Sequence, residues 1–365
     1  MDMASGKAPR MTTAELESLG EALDQLRQEI KDDLGQRDAD YIRAIVRKQQ
    51  MAEIAGRALL QFSFNPVSWV LGVGLLSVAK ILENMEIGHN IMHGQYDWMN
   101  DPKFYSQTYE WDTICDGDSW RRTHNFEHHT YTNILGMDRD YGYGLLRLTD
   151  NIPWRPGHLF QFINYVLLSV LFDWGVGLHE LEVEKIRSGK IRLRDKWPFL
   201  KSFLKKARNQ VAKDYVIFPL LAGPLVINVM LGNLLANLIR NLWASTIIFC
   251  GHFTEGAQTF RKQDCENETR GMWYYRQLLG SSNFTGSKWL HIMSGHLSFQ
   301  IEHHLFPDIP AHRYREMSPR VRQICEAHGI PYNTGSFGRQ LMTVWARIIR
   351  YSLPETGSAG IPQTR

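Results

Sequence analysis

Long apolar stretches alternate with polar regions along the chain. Those long enough to interact with a membrane lie at 52–82, 159–178, 215–231 and 234–250. A spanning helix needs about 20 mostly apolar residues, so the last two stretches predict a tight hairpin of two spans with its turn at Gly232 and Asn233. The first stretch is interrupted by Asn65 and Pro66, which predict the tip of another hairpin.

Charged residues predict the topology of these stretches. Eleven Lys or Arg residues lie between Lys185 and Lys213, and such an excess in a short loop indicates the cytoplasmic side. If the region before 159–178 is also cytoplasmic, this stretch cannot cross the membrane once. Because it also carries polar side chains, we expect an amphipathic helix in the membrane interface. Buried core helices of a soluble protein are the alternative interpretation of all four stretches.

The pattern divides the chain into three regions. Residues 1–50 predict an N-terminal cytosolic helical region, since a helix-forming composition continues from about Thr13 to Ala58. Residues 51–353 predict one membrane domain, with membrane segments at about 52–88 and 215–251. The last residues, 354–365, predict a disordered tail. The first fifteen or so residues lack the apolar core of a secretory signal peptide.

Composition narrows the class of protein. Charged residues make up 22% of the 365 residues, so the spans share the chain with a substantial polar part. The net charge of +3 argues against a nucleic-acid partner. The four cysteines form no CxxC pair, which argues against a disulfide framework and a thiolate zinc site. The fourteen histidines, several of them clustered, are the unusual feature.

The clustered histidines predict a two-metal site. They occur in HNIMH, HNFEHH and QIEHHLFP, and are His89, His93, His124, His128, His129, His303 and His304. Residues four apart lie on one face of a helix, so two imidazoles of such a pair can bind one ion. A directly following histidine projects about 100° further around the helix, where it suits a second ion.

Outside these clusters, His252 follows the second predicted hairpin as His89 follows the first. If both hairpins begin and end in the cytoplasm, His89, His252 and all three clusters share one side of the membrane. His296, four residues before Gln300, is a candidate for a further ligand. Carboxylates that could orient the imidazoles are Glu127, Asp138 and Glu302, whereas His179 is expected on a solvated helix face.

The predicted ligand set restricts the chemistry. Imidazole nitrogens suit iron, zinc, copper or nickel, and the lack of nearby cysteines excludes an iron–sulfur cluster. HExxH and GxGxxG are both absent, so a zinc protease is disfavoured and reducing power must come from another protein. A haem protein would place its histidines inside the spans, and a metal transporter would place charges there, where the sequence offers little beyond Lys80.

These motifs resemble those of the membrane fatty acid desaturase family, whose pattern is HxxxH, HxxHH or HxxxHH, and HxxHH or QxxHH. SFQIEHHLFPDIP is very specific to this family. KILENMEIGHNIMHGQYDWMNDP, THNFEHHTYTNILGMDRDYGYG and IFCGHFTEGA are similar to the bacterial acyl-CoA delta-9 desaturases of the mycobacterial stearoyl-CoA type. The resemblance covers about Leu16 to Leu353.

The resemblance implies an enzyme that introduces a cis double bond into a fatty acyl-CoA, with stearoyl-CoA or palmitoyl-CoA as substrate. It implies dioxygen, two iron ions (Fe²⁺) and an NADPH-dependent ferredoxin-reductase-like electron donor. The implied fold is an all-α integral membrane protein, in which a four-helix transmembrane stalk carries a cytosolic helical cap that holds both metals. The implied location is the bacterial inner membrane, multi-pass in the lipid bilayer, with the active site on the cytoplasmic side.

The resemblance also implies the ligands. Eight histidines match the family positions, namely His89, His93, His124, His128, His129, His252, His303 and His304. Members with a third motif that begins in His have nine imidazoles, and here Gln300 stands at that position. Gln300, His296 or a water therefore remain open as the ninth ligand. A related di-iron membrane hydroxylase of alkanes or lipids is the alternative function, because it uses the same ligands.

Overall fold

The computed structural model describes residues 11–354, and over this range the chain folds mostly into helices. The α-helices are α1 (Thr13–Asp32), α2 (Gln36–Gln61), α3 (Pro66–Ile81), α4 (His89–Met92), α5 (Gly117–Trp120), α6 (His129–Tyr131), α7 (Gln161–Val170), α8 (Phe172–Leu178), α9 (Val183–Arg187), α10 (Trp197–Ala212), α11 (Phe218–Leu221), α12 (Val226–His252), α13 (Arg270–Gly280), α14 (Lys288–Met293), α15 (Gln300–Leu305), α16 (Tyr314–Ala327) and α17 (Phe337–Ser352). Of the predicted tail at 354–365, only Pro354 is among the described residues.

Other secondary structure connects these helices. Segments of π-helix lie at Leu82–Gly88, Arg121–His128 and Lys213–Ile217. Turns of 3-10 helix lie at Asp97–Met99, Pro102–Phe104, Tyr141–Gly144, Pro156–Phe160, His179–Leu181, Leu193–Lys196, Gly223–Leu225, Lys262–Cys265, Leu297–Phe299 and Ala311–Arg313. Strands β1 (Asn283–Thr285) and β2 (Thr334–Ser336) pair in parallel. With three residues in each strand, the described part of the chain is mostly helical, as expected.

The first predicted hairpin tip is confirmed. Helix α2 ends at Gln61 and α3 begins at Pro66, so the chain reverses between them at the expected residues. Asn65 caps α3, because its side-chain oxygen accepts from the backbone N–H of Ser68 at 3.0 Å. Proline suits the first helical position, where its missing N–H is not needed.

The predicted turn at Gly232 and Asn233 is wrong. Both residues lie inside α12, and the chain turns earlier, at Gly223–Leu225. Gly232 is helical because it packs against Leu60, whose side chain would lie 2.7 Å from a Cβ at that position. The Asn233 side chain donates to the backbone oxygen of Asp214 at 2.6 Å. Tertiary contacts thus outweigh the local turn preference of a Gly-Asn pair.

Within residues 11–354, two helices are long and apolar enough to cross a membrane, Pro66–Met92 and Gly223–His252, each with a mean hydropathy of 1.4. Both run in the same direction relative to the histidines, since the first ends within the motif HNIMH and the second ends at His252. At the opposite end, the Trp69 indole donates to the backbone oxygen of Asn228 at 2.9 Å, so the beginnings of the two helices lie together.

The stretch at 159–178 is not the single helix that we expected. It contains α7 and α8, and the pair Pro156–Val170 and Phe172–Leu181 is bent by 92°. Asp173 lies directly after the bend and pairs with Arg240 of α12 at 2.8 Å. This buried ion pair draws the start of α8 into the protein, while Leu167 and Leu171 remain exposed.

A separate hydrophobic core supports the regions that follow the spans. Its members come from α1, α13, α15 and α16, and include Leu19, Leu23, Tyr274, Ile301, Met317 and Val321. Helices α1 and α13 approach most closely at Gly271, where a Cβ would lie 2.0 Å from the backbone oxygen of Leu16. The last histidine motif, on α15, is thereby fixed against the N-terminal helix.

We expect Gly271→Ala to lower the free energy of unfolding by about 1–3 kcal/mol, the usual cost of overpacking a close contact. Thermal unfolding in detergent would measure the change. Gly338→Ala is the matched control, because nothing lies within 4 Å of a Cβ there and alanine is the better helix former. Equal melting temperatures for the two variants would contradict the close approach of α1 and α13.

Candidate metal centre

Segments of π-helix carry or precede the first two histidine motifs. Leu82–Gly88 ends directly before His89, and Arg121–His128 contains His124 and His128 of the second motif and ends directly before His129. A π-turn closes its hydrogen bonds to the fifth residue and is frequent at functional sites. Side chains four and five positions apart can therefore approach the same point. The ring centroid of His124 accordingly lies 5.1 Å from both His128 and His129.

The predicted histidines converge in two adjacent groups. The first group consists of His89, His93, His124 and His303. The second consists of His128, His252 and His304. Within each group, one nitrogen from each imidazole lies within 4.8 Å of all the others. Both spans and all three motifs therefore contribute to one centre, as the shared-side argument predicts.

His129 lies between the two groups. Its ring centroid is 4.6 Å from that of His93 and 4.8 Å from that of His303 in the first group. It is 4.4 Å from His304 in the second group, with the two rings stacked. Both ring nitrogens of His129 are buried without a hydrogen-bond partner. This position allows His129 to complete either group.

Outer polar groups fix the orientation of the imidazoles. Nδ1 of His128 donates to Asp138 at 3.0 Å, and Nδ1 of His124 donates to Asp140 at 3.2 Å. The remaining such contacts join His89 to Asn90 (2.9 Å), His304 to Gln277 (3.1 Å) and His303 to Tyr314 (3.5 Å). Because Nδ1 is used as a donor, Nε2 remains unprotonated and free to bind a metal.

The nitrogens that face the centre fit metal ions. Nε2 of His93, His124 and His303 is buried and has no hydrogen-bond partner, which is costly unless another group binds there. Nitrogens bound to one ion at about 2.1 Å lie at most about 4.2 Å apart. The observed separations, up to 4.8 Å, need only a small contraction to reach that geometry.

Most of these imidazoles are in the neutral form, which favours metal binding. Burial, reinforced by the neighbouring imidazoles, holds the pKa of His129, His303 and His304 well below the usual histidine value. These rings are therefore neutral and bind a metal without losing a proton. Burial also lowers the pKa of His128, but the Asp138 carboxylate outweighs it and leaves this pKa raised.

The two candidates for a further ligand differ in position. The Gln300 side-chain nitrogen lies 3.0 Å from Nε2 of His252, and its buried oxygen has no partner, so this amide belongs to the second group. His296 lies outside both groups, and its Nδ1 instead lies 3.0 Å from Glu86. The positions of the two side chains therefore favour Gln300 over His296 as the further metal ligand.

Three carboxylates were expected to orient the imidazoles, and they differ in what they contact. Asp138 contacts a histidine, but Glu302 accepts from Tyr332 and Asn283. Glu127 lies 3.6 Å from Arg122. Sequence reasoning missed Asp140, which the motif Asp-Arg-Asp could have indicated. His179 was expected in solvent, but its Nε2 lies 3.0 Å from Asp140.

A cavity runs along the metal centre. It encloses about 970 Å³ between atoms, its mouth included, and its polar lining contains His89, His124, His128 and His252. Its apolar lining includes Met85, Trp111, Trp120, Phe172, Val176, Ala244, Ile248 and Leu297. A narrow apolar cavity that passes both groups of imidazoles can hold an alkyl chain against bound metal ions.

Comparisons with known proteins agree with this site. The sequence pattern of the family described as Fatty acid desaturase matches residues 66–336. An "NADPH-dependent stearoyl-CoA 9-desaturase" of Mycobacterium tuberculosis is 46% identical over 349 residues, which cover 94% of this chain and 82% of that protein. An "sn-1 linoleoyl-lipid 6-desaturase" of Arthrospira platensis is 26% identical over 272 residues, 72% of this chain and 71% of the relative.

Proposed function

Because this chain belongs to the fatty acid desaturase family, we propose that it is an acyl-CoA desaturase that introduces a cis double bond at the delta-9 position of a saturated fatty acyl chain. The observation that carries this proposal is the apolar cavity that passes two adjacent groups of imidazoles. Stearoyl-CoA is the substrate class named for the 46% identical relative.

We assign two iron ions to the centre. His89, His93, His124 and His303 hold one ion, His128, His252 and His304 hold the other, and His129 completes one of the two shells. Gln300 lies where a further ligand of the second ion belongs. The buried nitrogens without partners support this assignment, because two metal ions would satisfy them.

The reaction removes one hydrogen from each of two adjacent methylenes and reduces dioxygen to two waters with two further electrons and two protons. Two iron ions held by the histidines would supply the oxidant, since no protein acid or base can remove hydrogen from an unactivated methylene. The chain supplies position. The walls formed by Trp111, Phe172 and Ile248 hold the methylenes beside the histidines and exclude water.

The electrons come from another protein. The sequence contains no dinucleotide-binding motif, and the relative is named as NADPH-dependent. An NADPH-dependent ferredoxin-reductase-like protein is therefore the proposed donor.

We place the chain in the bacterial inner membrane as a four-helix stalk under a cytosolic helical cap. Pro66–Met92 and Gly223–His252 are two of the stalk helices. The apolar end of α2 and the segment through α11 are the others, and Gln61 of α2 contacts the backbone oxygen of Phe218 at 2.9 Å. Lys206 belongs to the Lys- and Arg-rich region at 185–213 and contacts the backbone oxygen of Trp111 beside the cavity. Because such a region indicates the cytoplasmic side, this contact supports a cytoplasmic metal centre.

Expression with a reductase in a bacterial host that lacks monounsaturated fatty acids tests the proposed function. We expect new cis double bonds between carbons 9 and 10, located by gas chromatography and mass spectrometry. A hydroxylated main product would instead favour a di-iron hydroxylase, and saturated fatty acids alone would contradict desaturation.

We expect Gln300→Ala to weaken binding of the second iron about tenfold, in the range found when a metal-site contact is removed. His296→Ala should cost less activity and retain both irons, because its contact is with Glu86 rather than with the histidine groups. Iron per chain, measured by elemental analysis after dialysis against a chelator, distinguishes the two variants. Complete metal loss in His296→Ala would make His296 the ligand.

A further inference from the structure

Part of the cavity wall is charged, although most of the wall is apolar. Arg240 and Asp173 both line it, and their side chains form an ion pair at 2.8 Å. The pair is buried, with 6% of the Arg240 side chain and 10% of the Asp173 side chain exposed. Two opposite charges therefore lie in a region otherwise suited to an alkyl chain.

The ion pair is held by further protein contacts. Asp173 also accepts from the backbone N–H of Ile114 at 3.2 Å. Nε of Arg240 donates to the Asn241 side-chain oxygen at 3.2 Å, and the Asn241 side-chain nitrogen donates to the backbone oxygen of Val170 at 2.8 Å. Since these groups satisfy one another, they are held in place and need no polar ligand.

Helix α12 gives the distance between this ion pair and the metal centre. The residues of α12 that line the cavity are Arg240, Asn241, Ala244, Ile248 and His252. Arg240 is the farthest from His252, twelve residues earlier, which corresponds to about 18 Å at about 1.5 Å per residue. An extended alkyl chain advances about 1.3 Å per carbon, given C–C bonds of about 1.5 Å, so about 18 Å holds about 14 carbons. With carbon 9 at the metal centre, the longest chain that fits has about 23 carbons.

We propose that the Asp173–Arg240 pair is the stop that sets the longest acyl chain this enzyme accepts. A longer chain would bring its terminal methyl against the pair. To advance further it would have to separate the two charges and leave them buried without partners, which is strongly unfavourable. This inference rests on the proposed function, because it takes the cavity as the acyl site.

The test is a double variant, Asp173→Leu with Arg240→Met, which removes both charges together and leaves neither unpaired. Desaturation of saturated C18, C20, C22 and C24 acyl-CoA is measured for purified wild-type and variant proteins with the same reductase. We expect the ratio of C24 to C18 product to rise about tenfold, since C24 exceeds the limit by about one methylene group and an apolar pocket discriminates by about tenfold or more for one methylene.

Another buried pair is the matched control. Lys80 and Asp214 lie 2.8 Å apart, and neither lines the cavity. Lys80→Met with Asp214→Leu should therefore retain the wild-type chain-length profile. An altered profile in this control, equal to that of the cavity variant, would overturn the specific role of Asp173 and Arg240.

If the double variant does not fold, as judged by size-exclusion chromatography, a second variant tests the inference. Ala244 lines the cavity eight residues from His252, about 12 Å along the helix. Ala244→Phe should shorten the path and raise the ratio of C14 to C18 product. An unchanged profile would overturn the inference, as would an unchanged profile in a folded double variant. Wild-type protein with no desaturation of any chain would instead refute the proposed function.

Discussion

His128→Ala and His304→Ala are each expected to abolish desaturation and to leave the protein inserted in the membrane. Both side chains belong to the group of three imidazoles, so either change leaves only two of that group's imidazoles for the second ion. The rings lie outside the two candidate spans, and their loss removes little apolar surface. Unsaturated product is measured by gas chromatography, and iron per chain by elemental analysis.

His328→Ala is the matched control for these variants. The change of side chain is the same, but His328 directly follows the end of α16 and belongs to neither group of imidazoles, and its Nδ1 contacts the backbone oxygen of Ile324 at 2.9 Å. We expect wild-type iron content and activity. Substantial residual desaturation in His128→Ala or His304→Ala would contradict their assignment as ligands.

Asp138→Ala is expected to weaken iron binding about 10–100-fold, the usual effect of removing the group that orients a metal-binding histidine. Asp138 accepts from Nδ1 of His128, and it also accepts from the backbone N–H of Asn133 at 2.7 Å and of Asp140 at 2.9 Å. The substitution thus releases both the ring and the loop that positions it. Competition with a chelator of known affinity measures the change.

Glu302→Gln separates this effect from the general cost of changing a buried carboxylate. Glu302 is as deeply buried as Asp138 and directly precedes His303, but its oxygens accept from Tyr332 and Asn283. We expect the Glu302→Gln protein to bind iron with wild-type affinity. Equal loss of affinity in Glu302→Gln and Asp138→Ala would show that Asp138 has no specific role in orienting His128.

The sequence predicts those parts of the fold that depend on local chemistry. The hairpin tip at Asn65 and Pro66 is one, because a capping side chain and a proline act on the adjacent turn of helix. Gly232 and Asn233 carry an equally good local signal, but contacts with Leu60 and Asp214 keep them helical. Such contacts are distant in sequence and leave no local pattern.

The candidate site likewise has features that the sequence predicts and features that depend on contacts distant in sequence. Spacing and motif identify which histidines converge, including His252, which stands alone in the sequence. Their arrangement in two groups, with His129 between them, depends on a π-helical segment that the α-helical spacing rule does not anticipate. Asp140 and His179 meet only through the fold, since 39 residues separate them and no shared motif links them.

The central claim is that eight imidazoles hold two iron ions beside an alkyl-binding cavity. X-ray absorption at the iron edge of protein reconstituted with Fe²⁺ without oxygen, combined with elemental analysis, tests it most directly. We expect about two irons per chain, each surrounded by nitrogen and oxygen ligands with imidazole scattering. A single iron per chain, or sulfur ligands from the cysteines, would contradict it.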